Sequence, residues 1–284
     1  MKVLVLGISG MLGNAMFRKL SEGAELEVFG TARSASVRSF FAPEYAGRII
    51  VGIDVENQDS VARVLAEVKP QIVVNCIGLI KQLSDANDPL LALPINAMLP
   101  HRLARLCDLC GARFVHVSTD CVFAGTKGNY REWDSADATD LYGRSKHIGE
   151  VTYPDTITLR TSIIGHELYS SHALLGWFLK QEHHVKGYTK AVFSGLPTVE
   201  LARIVRDVVL PRPGLSGLYH VASEPISKYD LLRLIACVYG KELEIIPDDS
   251  LAIDRSLNAQ RFRDETSYVA PPWPELVKRM FEFK

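Results

Sequence analysis

The stretch Lys2-Val3-Leu4-Val5-Leu6-Gly7-Ile8-Ser9-Gly10-Met11-Leu12-Gly13 decides how this chain is read. Lys2 to Leu6 is an apolar, β-prone run. Glycines then recur as Gly-x-x-Gly-x-x-Gly, and Asn14 to Leu20 continue as a helix-like segment. Strand, glycine turn and helix N-terminus in that order make an anion site. The glycines let the backbone turn sharply and approach a pyrophosphate, and the unpaired N–H groups of the first helical turn point at it. The turn from Gly7 through Ser9, Gly10, Met11 and Leu12 to Gly13 is therefore expected to hold a dinucleotide. The spacing departs from the commoner Gly-x-Gly-x-x-Gly, and an ordinary glycine-rich βα turn has the same local sequence.

Strands and helices alternate through the first half. Glu25 to Phe29, Arg48 to Val51, Gln71 to Asn75, Arg113 to Val117 and Thr156 to Arg160 read as strands. Asp59 to Val68 reads as a helix with Val61, Val64, Leu65 and Val68 on one face; Pro94 to Cys110 and Tyr142 to Val151 are also helical. Such alternation predicts an α/β fold with a doubly wound parallel sheet, whose ligands sit at the carboxyl ends of the strands. After Arg160 the repeat breaks. Helices are expected over Leu174 to Gln181, Val199 to Leu210, Lys228 to Tyr239 and Glu275 to Phe281, and strands over Leu218 to Val221 and Leu243 to Ile246. The expected division is a dinucleotide-binding domain, 1–160, and a smaller substrate lobe, 161–284, with parts of about 189–225 free to return to the first domain.

The chain has 284 residues, 47% hydrophobic and 23% charged, as an ordinary globular protein does. Its net charge of −1 gives no support to nucleic-acid or membrane-surface binding. No apolar run approaches the roughly 18–20 residues that cross a bilayer. Lys2 to Leu6 runs straight into the glycine turn, without a signal-peptide layout, so a cytoplasmic location is expected. The cysteines, Cys76, Cys107, Cys110, Cys121 and Cys237, are odd in number and scattered, which suggests reduced thiols. Cys107 and Cys110 form a Cys-x-x-Cys near the end of a helical pattern, but no second pair stands at ligand spacing, and packing thiols are the better reading. Adjacent His183 and His184 point apart and lack a third ligand, so no metal is expected.

Tyr142-Gly143-Arg144-Ser145-Lys146 carries the chemistry. Residues four apart share a helix face. A lysine ammonium near a phenol favours the phenolate, so the Tyr142 pKa is expected to fall, and such a tyrosine exchanges a proton with a carbonyl or alcohol. Tyr-x-x-x-Lys is common by chance on solvated helices. Here it follows a strand ending Val117-Ser118-Thr119-Asp120, whose end points into the same cleft, so Thr119 can bond the same oxygen as Tyr142.

Together Gly7-x-x-Gly10-x-x-Gly13, Asn75-Cys76, Ser118-Thr119-Asp120 and Tyr142-x-x-x-Lys146 resemble an extended short-chain dehydrogenase/reductase. Ser118-Thr119-Asp120-Cys121-Val122-Phe123, Tyr142-Gly143-Arg144-Ser145-Lys146 with Gly149-Glu150, and Leu159-Arg160-Thr161-Ser162 resemble the dTDP-4-dehydrorhamnose reductase branch. So do Gly195-Leu196-Pro197-Thr198, Gly217-Leu218-Tyr219-His220 and Asp254-Arg255-Ser256-Leu257, in order over most of the chain. The resemblance implies an NAD(P)H-dependent reductase of a nucleotide-linked 4-keto-6-deoxy-sugar. It implies Tyr142 as proton donor, Lys146 on the nicotinamide ribose and Thr119 on the carbonyl or the tyrosine hydroxyl. It also implies Asp54 and Val55 at the adenine, and Asn75, Cys76 and Gly78 in the loop beside the cofactor.

Two positions depart from the family. Cys121 stands where Tyr is frequent, and Ile163-Ile164-Gly165-His166-Glu167 stands where an aromatic is frequent. The expected substrate is thus dTDP-4-dehydrorhamnose or a UDP-linked 2-acetamido-6-deoxy-4-ketohexose. Lys81 can meet the sugar or phosphate, or be a solvated lysine. Arg33 follows the second strand where NAD enzymes usually carry an acid, and an arginine there suits a 2′-phosphate, which favours NADPH and leaves NADH open. Arg255 matches the family's arginine near the nucleotide diphosphate and Arg261 matches it less well; both also suit a plain surface. His166 and Glu167 can line the cleft without a catalytic step. Rival readings are an epimerase or dehydratase of the same superfamily, and a non-catalytic NADP-binding regulatory subunit. Thr119 is followed by Asp120-Cys121 rather than by the two acids a dehydratase needs. A homodimer is among the arrangements these residues allow.

Overall fold

The structure, a computed structural model, describes residues 1–80 and 87–284. The first half runs β1 (Lys2–Leu6), α1 (Met11–Ser21), β2 (Glu27–Ala32), β3 (Ile49–Val51), α2 (Gln58–Val68), β4 (Ile72–Asn75), α3 (Pro89–Ala92), α4 (Leu99–Leu109), β5 (Arg113–Thr119), α5 (Leu141–Ile148) and β6 (Thr156–Thr161). Short 3-10 turns, Ala35–Phe40 and Pro43–Arg48, fill the β2–β3 connection, and a π-turn stretch, Leu93–Met98, joins α3 to α4. The second half runs β7 (Ile163–Ile164), α6 (Leu174–Leu179), β8 (His184–Tyr188), β9 (Ala191–Phe193), β10 (Leu196–Pro197), α7 (Thr198–Ile204), β11 (Gly217–His220), β12 (Ile226–Ser227), α8 (Lys228–Tyr239), β13 (Glu244–Asp248), β14 (Ile253–Asp254), α9 (Gln260–Thr266) and α10 (Trp273–Glu282).

The main sheet has seven strands in the order β11-β6-β5-β4-β1-β2-β3, every pair parallel. Side chains alternate along β1, so Val3 and Val5 face Met16 and Phe17 of α1, while Leu4 and Leu6 face Val61, Val64 and Leu103 of α2 and α4. With both faces covered, the strands read as continuous apolar runs. The strand order reverses at β1, where a crevice opens at the carboxyl ends of β1 and β4. Register sets what meets there: Leu6 lies beside Thr31 and Asn75, Asn75 beside His116, and Thr119 beside Thr161.

The second half contributes to the same body. β11 adds the outer strand beside β6. The core under α1 continues into Val205, Trp273, Val277 and Met280, so α7, α10 and α1 share one apolar layer. The remaining strands form small sheets, β12-β9-β14, β13-β8 and β10-β7. Strands as short as Ile163–Ile164 and Ile226–Ser227 carry too little alternation to be read from sequence. Cys107 is a packing thiol in the core beneath α2 and α4. Among the described residues, no helix is long and apolar enough to cross a membrane.

Candidate active site

The turn after β1 is built for close approach. Gly7 has a φ of 85°, a conformation that favours glycine, and donates its N–H to the Thr31 carbonyl at 3.2 Å. A Cβ there would lie 2.6 Å from Cγ1 of Ile77, and one on Gly13 would collide with the Gly7 carbonyl oxygen. Gly13 thus lets α1 press against the turn. Gly10 caps α1 in an extended conformation with no side-chain hydrogen bond, and the first turn of the helix carries no acid. Ser9 and Gly10 are exposed, Met11 is half-buried and Leu12 is buried. This cradle fits a dinucleotide pyrophosphate: exposed backbone, a helix N-terminus, and no side chain in the way.

The segments after β2 and β3, where the adenine end of a cofactor is expected, are polar and accessible. Arg33 is exposed just beyond β2, its carbonyl accepting from Gly52 at 3.1 Å. The hydroxyls of Ser34 and Ser36 lie 2.9 Å apart in the same segment. Asp54 is exposed and accepts the Glu56 N–H at 3.1 Å, with Val55 half-buried next to it. Beyond β4, the buried Asn75 accepts from Ile77 N at 3.1 Å and contacts His116 Nδ1 at 3.2 Å. Burial pushes the Cys76 thiol up to about 12, so it stays protonated. A Cβ on Gly78 would lie 3.8 Å from the Lys146 ammonium, so the loop after β4 borders the lysine.

Two local devices set Tyr142 against Thr119. Asp140 caps α5 by accepting the Gly143 N–H at 2.8 Å. Gly143 packs so tightly on the Cys121 carbonyl that any Cβ would collide with it. The Tyr142 phenol lies near Thr119, and Lys146 Nζ donates to the Val117 carbonyl at 2.9 Å. Here the structure corrects a sequence expectation. Burial holds the Tyr142 phenol above its ordinary pKa, the nearby Cys121 and Asp120 push the same way, and the nearby Thr119 hydroxyl only partly offsets them. Burial lowers Lys146 in turn, to about 8, with Glu150 pulling the other way. The pair shares a helix face, as the spacing requires, but burial outweighs the expected attraction.

Cys121 lies beside this group, its backbone N–H donating to Thr119 Oγ1 at 3.2 Å. Arg255 joins from the segment after β14: its Nε donates to the Phe123 carbonyl at 2.7 Å, and Nη1 lies 3.9 Å from Cys121 Sγ. Arg261 goes elsewhere. It donates to the Leu218 carbonyl at 3.0 Å, pairs with Glu265 and stacks on Tyr219, at the β11 edge of the sheet. His166 bonds the Tyr239 hydroxyl at 3.0 Å, and Glu167 accepts from Ser170 and from the Ala173 N–H ahead of α6, so neither joins the cluster. Lys81 lies outside the described residues.

Several buried polar residues had no role assigned from sequence. Asn96, in the π-turn stretch, accepts from Leu79 N at 2.9 Å and donates to Leu79 O and Ser145 Oγ, tying the loop after β4 to α5. A polar residue inside Leu93-Pro94-Ile95-Asn96-Ala97 is a usable signal for such a tie. His116 is fully buried, and burial followed by the neighbouring Lys146 charge keeps it neutral. Glu150 accepts from Arg160 Nε at 2.8 Å and Nη2 at 2.6 Å, and from Ser118 Oγ at 2.7 Å. Arg160 Nη1 reaches His220 at 2.9 Å, and His220 reaches the Tyr130 carbonyl at 2.9 Å.

Comparison with known proteins matches this geometry to a family. Residues 1–282 match the RmlD substrate binding domain family. The chain is 28% identical over 268 residues to the probable low-salt glycan biosynthesis reductase Agl14 of Haloferax volcanii, covering 90% of this chain and 86% of that protein. It is 26% identical over 305 residues to the dTDP-4-dehydrorhamnose reductase of Salmonella typhimurium, covering 99% and 97%. The fold is shared with the dTDP-4-dehydrorhamnose reductase of Bacillus anthracis in complex with NADP, at a TM-score of 0.80 and 21% identity, covering 100% and 98% of the two chains. From the glycine turn to the last helix, the chain belongs to the RmlD substrate binding domain family.

Proposed function

We propose that this protein is an NADPH-dependent reductase of a nucleotide-linked 4-keto-6-deoxy-sugar, working in the cytoplasm to supply a deoxysugar for polysaccharide. The observation that carries the reading is the packing of α5 on the carboxyl end of β5, which sets Tyr142 near Thr119 and the buried Lys146 on the Val117 carbonyl. Relatives named as reductases of dehydrorhamnose and of glycan biosynthesis support it. When bound, the nicotinamide supplies the hydride.

The chain's own residues do the rest. Tyr142, with its proton affinity raised by burial, keeps its proton until an alkoxide develops within reach and then gives it up. Lys146, at about 8, carries its charge at neutral pH and holds the ribose side of the site positive. Gly7, Gly10 and Gly13 hold the pyrophosphate, and Arg33 with Ser34 and Ser36 meets the 2′-phosphate. Asp54, Val55, Asn75, Cys76 and Gly78 line the cofactor's adenine and central parts. Arg255 meets the nucleotide diphosphate, and Cys121, smaller than the Tyr frequent in the family, leaves room beside the sugar.

The test is turnover. Purified protein with NADPH and either dTDP- or UDP-linked 4-keto-6-deoxyhexoses should consume NADPH in step with sugar. An epimerase or dehydratase returns its hydride to the sugar and would convert substrate without net NADPH loss. A regulatory subunit would bind NADPH and turn nothing over. Either outcome overturns the reading.

A further inference from the structure

A threonine hydroxyl has one hydrogen and two lone pairs. In this structure Thr119 donates its hydrogen to Asp120 Oδ1 at 3.2 Å and accepts the Cys121 N–H at 3.2 Å. One lone pair remains. A ketone oxygen only accepts. With Asp120 ionised, the Thr119 hydrogen is therefore spent on a protein partner rather than on the reacting oxygen.

Protonating Asp120 reverses this. The carboxylic acid can donate into the remaining lone pair of Thr119, which releases the Thr119 hydrogen. Asp120 is 9% exposed, and burial raises its proton affinity. The groups facing it are Thr119, Cys121 and Tyr142 around the strand end, Arg255 after β14, and Lys228 at the start of α8. Arg255 is the strongest influence keeping it ionised. A diphosphate on Arg255 would offset that guanidinium's field and add negative charge nearby, and both effects favour protonation.

We propose that Asp120 is a positioning residue that takes up a proton when the nucleotide sugar binds, turning the hydroxyl hydrogen of Thr119 toward the reacting carbonyl. This rests on the functional reading above. The proton comes from bulk water and forms an O–H bond on the Asp120 carboxyl. No other covalent bond changes in this step. When product and its diphosphate leave, Arg255 again favours the carboxylate and the proton returns to solvent. The proton that Tyr142 delivers to the sugar is a separate one.

Calorimetry tests this on the full chain saturated with NADP⁺, titrated with dTDP-rhamnose and with a UDP-linked 2-acetamido-6-deoxyhexose in buffers of different ionisation enthalpy. Wild type should take up as much as one proton per sugar nucleotide bound, most on the acid side of neutrality and none at alkaline pH. Asp120→Asn, whose amide can donate to Thr119 permanently, should bind within about threefold of wild type and lose the uptake. In turnover, the alkaline limb of kcat should move to higher pH in Asp120→Asn while KM stays near wild type. Binding to wild type without proton uptake anywhere from about pH 5 to 8 overturns the proposal with no variant needed. Uptake that persists in Asp120→Asn also overturns it. If neither sugar nucleotide binds, the functional reading itself fails and takes this proposal with it.

Discussion

Two clusters of polar side chains stand side by side around β5, α5, β6 and β11, and they handle charge in opposite ways. In the first, Glu150, Arg160, Ser118, His147 and His220 satisfy one another. Burial alone would raise the Glu150 carboxyl, but the hydrogen bonds from Arg160, His147 and Ser118 overcome it and bring it to about 2. In the second, Thr119, Asp120, Tyr142 and Lys146 lie at similar depth with less compensation. Lys146 falls to about 8, and the Tyr142 and Asp120 groups rise, each pushed first by burial toward its neutral form. A fully paired ionic cluster is a fixture of the fold. Groups held near their neutral forms in a cleft can exchange protons with a ligand. The first cluster fits a stabilising role, and the second the chemistry of the proposed function.

The sharpest break of this contrast is Tyr142→Phe. Loss of the general acid should cost about 10²–10⁴-fold in kcat, with NADPH affinity nearly unchanged. Urea unfolding should show little loss of stability, since only the hydroxyl is removed. A variant keeping more than half the wild-type rate removes Tyr142 from the chemistry.

Glu150→Ala should show the opposite pattern. It strips the counter-charge from Arg160, which is 2% exposed, and breaking such a buried pair costs about 3–5 kcal/mol. A rate loss far exceeding the stability loss would merge the two clusters into one. Acid tests the same fixture without mutation. His220 is held neutral at about 3, by burial and then by Arg160, against a usual 6.5. Between those values the unfolded chain binds more protons, so stability falls as pH drops from about 6.5 toward 3. Glu150 adds a further loss as pH falls from its usual 4.5 toward about 2. Urea midpoints that stay flat from neutrality down to about pH 4 would contradict the His220 assignment. The alkaline side separates the clusters again. Above about 8 Lys146 loses its charge and the rate should fall. Its contribution to stability should rise there instead, because the unfolded lysine still holds its proton up to about 10.5.

Two smaller effects concern the cations at the ends of the cleft. Arg255→Ala should raise the sugar nucleotide's KM by the equivalent of about 1.5–3 kcal/mol with NADPH binding unchanged, and Lys should restore only part. Arg261→Ala serves as the comparison, since its contacts lie at the β11 edge, and its KM should stay at the wild-type value. Arg33→Ala should weaken NADPH by about 1–3 kcal/mol and leave NADH almost unaffected. Equal losses with both cofactors would make Arg33 structural.

The doubly wound sheet, the glycine turn and the Tyr142–Lys146 face were legible in the sequence because each depends on a few neighbours. Alternation between apolar strands and helices needs only short windows, a turn's glycines answer to their own backbone, and residues four apart on a helix share a side whatever surrounds them. The π-turn holding Asn96 and the two-residue strands of the second half were not legible, since such short irregular elements leave no period. Distant packing settled the rest. Arg255 and Arg261 stand in one polar stretch and look alike as sequence, yet one reaches Cys121 and the other Leu218. Glu150, Arg160 and His220 meet only because β6 lies between β5 and β11. The proton affinities of Tyr142, Lys146 and Asp120 follow the same logic. They are set by how deeply the fold buries each group and by which charges arrive from elsewhere in the chain, and neither quantity is a property of a local run of residues.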